Sequence, residues 1–110
     1  MSQDATSQDS MDQDFTLQTF SEQLNTKFRL HYAPSKSADV ELVKVKDLGS
    51  TPSHTQFSCI FVAPPEVPIF QSIFRLEHDR LGSFQLFLVP VGKDARGVEF
   101  EAIFNRFHAE

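Results

Sequence analysis

From Lys27 onward, hydrophobic and polar residues alternate along most of the chain, the period of a strand with one buried face. Phe28, Leu30 and Tyr32 fall on one side of Lys27–Tyr32, with Lys27, Arg29 and His31 on the other. A second strand is expected over Val40–Leu48. Its apolar phase slips between Val40-Leu42 and Val43-Val45, as the extra residue of a β-bulge makes it do. In a third, His54–Ala63, Phe57, Cys59 and Phe61 alternate against Ser58, Ile60 and Val62. Both phases become apolar towards its end, which predicts cover on both faces. A fourth strand is expected over Phe70–Glu77 and a fifth over Ser83–Val91. The sixth opens at Val98, with Val98, Phe100, Ala102 and Phe104 inward and Glu99 and Glu101 outward.

Turn residues separate these runs. Pro34–Asp39, Gly49–Ser53, His78–Gly82 and Gly92–Gly97 read as loops. Pro64, Pro65 and Pro68 impose an extended connection, because proline fixes its own φ and restricts the residue before it. Pro90 brings no ladder donor, so it marks an edge or a bulge. Ahead of the strands lies a short helix signal. Thr16 is placed as N-cap, Phe15 and Phe20 as a hydrophobic staple, and Leu17, Phe20 and Leu24 as one apolar stripe leading to Asn25. So short a helix persists only by docking on the sheet.

These elements predict a mainly all-β fold: a six-stranded antiparallel meander forming a small barrel or sandwich, with one short N-terminal helix packed on it. If the sheet closes first strand to last, Lys44 and Lys46, or Lys27 and Arg29, stand opposite Glu99 and Glu101.

Composition adds a boundary. Residues 1–14 contain no large apolar side chain other than methionine, so a disordered acidic tail is expected there and a single domain over 15–110. Asp4, Asp9, Asp12 and Asp14 lie in that tail; without them 15 acids become 11, against 10 bases. A nearly neutral folded part argues against nucleic acid and anionic membrane as partners. The longest uninterrupted apolar run, Cys59–Ala63, is far short of the roughly 20 residues a membrane helix needs. One cysteine, Cys59, allows no internal disulfide and fits a reducing compartment. With a polar, acidic N-terminus in place of a secretory signal, a cytoplasmic location is expected, or membership of an assembly exported without such a signal.

Candidate chemistry is sparse. His31, His54, His78 and His108 have no second ligand at metal spacing. Glu77-His78-Asp79 falls at an expected turn, where polar residues serve the backbone. Cys59 has apolar neighbours, and Glu99 with Glu101 form the solvent side of an amphipathic strand. No phosphate loop, triad or dinucleotide motif occurs, so no catalytic residue, metal or cofactor is expected and the chain does not read as an enzyme. One feature exceeds what a core requires: the second apolar face of the fifth strand, Phe87, Val89 and Val91, continued by Ile103 and Ile60. Its cover is either the Leu17-Phe20-Leu24 stripe or another protein chain. Phe87, Val89, Val91 and Ile103 are therefore the candidate protein interface.

Phe74-Arg75-Leu76-Glu77-His78, Leu81-Gly82, Leu86-Phe87-Leu88-Val89-Pro90-Val91-Gly92 and Phe100-Glu101-Ala102-Ile103-Phe104-Asn105 together resemble a small bacterial family known only as a domain of unknown function. Thr16–Leu24, Phe28-Arg29-Leu30 and Val45–Gly49 resemble it as well. The resemblance covers Thr16 to Asn105 and assigns no residue a role. It implies a genomic setting near phage-tail-collar-like proteins. The expectation that follows is a non-enzymatic structural or assembly protein, forming a homo-oligomer or binding a tail-collar or fibre-type partner. The alternative is a small barrel that holds an apolar small molecule among its phenylalanines.

Overall fold

The structure is a computed structural model describing residues 15–107; the expected acidic tail Met1–Asp14 and His108 lie outside the described residues. Among the described residues six strands follow one helix: α1 (Leu17–Ser21), β1 (Lys27–Ala33), β2 (Lys36–Thr51), β3 (His54–Ala63), β4 (Ser72–His78), β5 (Gly82–Asp94) and β6 (Gly97–Phe107). All six lie in one antiparallel sheet that closes in the order β1-β2-β3-β6-β5-β4. The fold is thus the antiparallel six-stranded sheet with one short helix that the period-2 pattern predicts.

The strand order departs from a plain meander. Consecutive strands pair only within β1-β2-β3 and within β4-β5-β6, and the two halves join through β3–β6 and β1–β4. The connection after Ala63 is the cause. Each other link is a tight hairpin, whereas residues 64–71 hold three prolines and no ladder hydrogen bond, so they carry the chain away from β3. The connection is pinned midway by Val67, which is 1% exposed and whose N–H donates to the Pro64 carbonyl at 3.1 Å. First-to-last closure therefore does not occur. Glu101 stands between Ile60 and Val89, and Glu99 between Val62 and Gly92. The bases of β1 face other acids: Lys27 opposes Glu41, and Arg29 lies between Asp39 and Glu77.

Strands run further than the loop residues suggest, because two hairpins turn on proline. Ala33-Pro34-Ser35-Lys36 and Thr51-Pro52-Ser53-His54 need only two central residues each, with proline at the first. Ser37, Asp39 and Glu41 are then the outer side of a strand whose inner side is Ala38, Val40 and Leu42. Similarly, β5 reaches Asp94 and turns through Ala95-Arg96. The expected phase slip in β2 is a register shift between Leu42 and Lys44, and Pro90 sits at another, between Pro90 and Gly92. Gly97 closes the β5–β6 turn with φ 144°, and a Cβ there would overlap the Ala63 carbonyl oxygen.

Aromatic side chains fill the interior. Phe28, Phe57, Phe61, Phe74, Phe84 and Phe100 are each at most 3% exposed. Phe28 meets Phe61 edge-on at 5.3 Å, and Phe74 meets Phe100 at 5.8 Å. Burying one such ring contributes about 1.5–3 kcal/mol, so this row is the main source of cohesion.

The barrel is closed along only part of its length. Gly82–Leu88 of β5 pair with β4, but the β5–β6 ladder begins at Val89–Glu101 and runs the other way, to Asp94–Gly97. Past Glu101, β6 continues with β3 alone. The sheet therefore splays between Ser83–Leu88 and Ala102–Phe107, and α1 plugs the opening. Thr16 caps the helix as expected, its hydroxyl accepting from the Thr19 N–H at 3.1 Å. Phe20, fully buried, touches Phe57 and Phe104 on one lip and Phe84 on the other. Phe15 packs on Phe20 at 5.3 Å and on Phe84 at 4.9 Å. The helix ends at Ser21, short of the expected stripe, so Leu24 is left 36% exposed. Asn25 turns the chain with φ 68°, a left-handed conformation that asparagine tolerates. Its N–H donates to the Leu42 carbonyl at 2.7 Å, and the Leu42 N–H donates to the Thr26 carbonyl at 3.2 Å, binding this segment to β2.

Candidate protein-binding surface

The outer face of β5 carries the apolar residues the core does not use. Inward Phe84, Leu86 and Leu88 leave Phe87 and Val89 pointing outward by alternation. Phe87 is 48% exposed, Val91 50% and Ile103 48%, while Val89 is half-buried. The cover expected from α1 is absent, because Phe20 spends its contacts on inward-facing rings at the splayed end. The stripe prediction fails for a physical reason: filling that opening buries Phe20 completely, which lying across the outer face would not do.

The surface extends beyond the four expected residues. Ile73 stands directly opposite Phe87 across the β4–β5 ladder and is 55% exposed. Ile69 and Phe70, from the proline-rich connection, are also exposed, and Phe70 packs on Phe74 at 5.3 Å. Ile73 could have been read from the sequence. Phe74 and Leu76 fix the inward phase of β4, which leaves Ile73 outward beside Arg75. Ile103, in contrast, lies across the splay from Phe87, paired with Ser58 of β3.

Polar residues gather on a different part of the wall. Lys27, Phe28, Arg29, Asp39, Glu77, His78 and Asp79 line an open cleft of about 370 Å³. On its rim His31 Nε2 donates to Glu77 at 3.1 Å, and Arg75 donates to the other carboxylate oxygen at 3.0 Å. These two hydrogen bonds, that from His31 first, hold the Glu77 carboxyl below its ordinary value. The arrangement is an exposed ion-pair row of small energetic weight.

His78 is a structural histidine. Its Nδ1 accepts from the Arg80 N–H at 3.0 Å and the Leu81 N–H at 3.3 Å, which assigns the proton to Nε2. Nε2 then donates to the Thr26 hydroxyl at 2.9 Å, and that hydroxyl donates to the Gln23 carbonyl at 2.7 Å. The ring lies 4.3 Å from Phe28. Both ring nitrogens are thus used in tying the α1–β1 connection to the β4–β5 turn. Burial, chiefly, lowers the His78 pKa from its ordinary 6.5; the Arg80 charge adds to this and Asp79 opposes it. Cys59 is fully buried and burial pushes its thiol up, away from the thiolate a nucleophile requires. No group of three or more metal-ligating side chains occurs among the described residues. No helix among them is long and apolar enough to cross a membrane.

Neither the curated proteins nor the solved structures contain a match to this chain. One family does match, over residues 15–104, the span that runs from the staple phenylalanine through the inward face of β6. The chain belongs to the family described as domain of unknown function DUF6916.

Proposed function

We propose that this protein is a non-enzymatic structural or assembly component that acts by binding protein through the outer face of β4 and β5. The observation that carries this reading is the Ile73–Phe87 pair: two large apolar side chains, directly opposed and each about half exposed, outside the buried core. Val91 and Ile103 extend the apolar area, and Arg75 and Gln85 border it with polar groups, the arrangement of an interface with an apolar centre and a polar rim. The partner is a second copy of the chain or, following the genomic setting of the family it resembles, a tail-collar or fibre-type protein. The close ring contacts inside the barrel, Phe28 on Phe61 and Phe74 on Phe100, favour this surface over the runner-up, an apolar ligand held inside the barrel.

Light scattering over a concentration series, alone and with a collar-type protein, tests the reading. Association is expected in one of the two settings, and Phe87→Ser combined with Ile73→Ser should reduce it at least tenfold in Kd, about 1.4 kcal/mol. A protein that stays monomeric at high concentration and ignores the partner would overturn it.

A further inference from the structure

We infer that His78 is a pH-sensitive latch, whose protonation in mild acid frees the β4–β5 turn from the α1–β1 connection while the barrel stays closed. This goes beyond the protein-binding reading and does not depend on it.

The latch follows from which groups can donate. A backbone N–H only donates, so the amides aimed at Nδ1, from Arg80 at 3.0 Å and Leu81 at 3.3 Å, require that nitrogen to be bare. The ring already carries a hydrogen on Nε2, so a second proton goes to Nδ1. The new N–H then faces two others with no acceptor among them, and both bonds are lost. In place the ring has little freedom, since it is 9% exposed and lies 4.3 Å from Phe28. Swinging it toward water takes Nε2 off the Thr26 hydroxyl, the bond that ties the turn to the connection. The freed turn carries with it Leu81, which is half-buried against the core.

The movement falls to the turn and not to the helix side. The Leu42 N–H still donates to the Thr26 carbonyl and the Asn25 N–H to the Leu42 carbonyl, whatever the charge on His78. His31 responds in the opposite sense: its Nε2 donates to Glu77, and a second proton strengthens that bond. Charged groups surround His78 from each neighbouring element: Lys27 and Arg29 from β1, Asp39 from β2, Glu77 from β4, and Asp79 and Arg80 from the turn itself. Burial lowers the His78 pKa most, while Asp79 raises it and Arg80 lowers it. The latched ring therefore takes its proton below 6.5, whereas a freed ring takes it near 6.5. The freed form gains on the latched form as pH falls through 6.5, and the gain levels off below the latched value.

The test is a pH titration of the full chain by NMR, with hydrogen exchange read amide by amide as protection relative to the intrinsic rate at each pH. Ring nitrogen shifts should show Nδ1 bare and Nε2 protonated at neutral pH. Between about pH 7.5 and about 5.5, protection of the Arg80 and Leu81 amides should fall several-fold, with about tenfold as the ceiling set by the ratio of 1 + 10^(6.5 − pH) at the two ends. Opening of the turn alone exposes little surface, so low urea should leave these two amides unaffected while it speeds exchange at Phe61 and Phe100. His78→Asn, whose side-chain oxygen accepts from the turn amides without titrating, should abolish the pH dependence; His31→Gln should preserve it. Turn amides whose protection does not change with pH would overturn the inference, as would a change that persists in His78→Asn. So would turn amides that share the urea slope of Phe61 and Phe100, because release would then require the whole barrel to unfold.

Discussion

Replacing Phe20 by alanine asks whether the helix is a plug or an ornament. Phe20 is fully buried and its ring touches Phe15, Phe57, Phe84 and Phe104, at centroid distances of 5.1–6.4 Å. Truncating a ring so placed removes its transfer free energy and leaves a cavity that rigid strands cannot collapse, costing about 3–5 kcal/mol. Against a total of roughly 5–15 kcal/mol this is a large share. At about 4–8 °C per kcal/mol for a domain of this size, the midpoint should fall by more than about 12 °C. The control is Leu24→Ala, at a residue the helix leaves 36% exposed, which should cost no more than about 1 kcal/mol. Urea unfolding followed by far-ultraviolet circular dichroism is the assay, because the chain has no tryptophan to report by fluorescence. A Phe20→Ala loss below about 1 kcal/mol, or one equal to that of Leu24→Ala, would refute the plug.

Three further outcomes follow from named contacts. Gly97→Ala combines a φ of 144° with overlap of the Ala63 carbonyl and should destabilise by more than about 3 kcal/mol. Gly82→Ala, at φ 80° in open space, should cost only about 1–2 kcal/mol; equal losses in urea titrations would contradict the clash. The His78 pKa lies below 6.5 in the fold, so the unfolded chain takes up its proton first as pH falls. Stability from this group is therefore complete above about 6.5, declines through the lowered folded value and then levels, and His78→Gln should flatten that decline in pH-dependent melts. Cys59 should resist a thiol reagent in the native protein and react fully in denaturant; rapid native labelling would place it outside the core.

Strand positions were legible because one face of each strand is nearly all apolar. Phe28-Leu30, Phe57-Cys59-Phe61 and Val98-Phe100-Ala102 state their inward phase without ambiguity, and the slip after Leu42 announced its bulge. Strand order was not legible. Alternation says which side of a strand is buried but not which strand lies beside it, and only the length and proline content of residues 64–71 hinted that β3 and β4 part. The destination of α1 was hidden for the same reason: the Leu17-Phe20 stripe specifies an apolar surface, and both the outer face of β5 and the splayed end offered one. The interface candidates were legible as a surplus of apolar residues at Phe87, Val89, Val91 and Ile103. Their division was not, since it depends on the β5–β6 ladder stopping at Val89–Glu101, which leaves Phe87 with Ile73 and Ile103 across the gap.

The central claim is that the working surface is the apolar outside of β4 and β5, and that the barrel interior serves packing. Amide chemical-shift mapping of the protein, titrated by its own concentration and by a collar-type partner, tests this most directly. The account predicts shifts concentrated at Ile73, Phe87, Val89, Val91 and Ile103, with the amides of Phe61 and Phe100 unmoved. Shifts centred on the polar cleft around Lys27, Arg29 and Asp79, or on the buried ring positions, would contradict it.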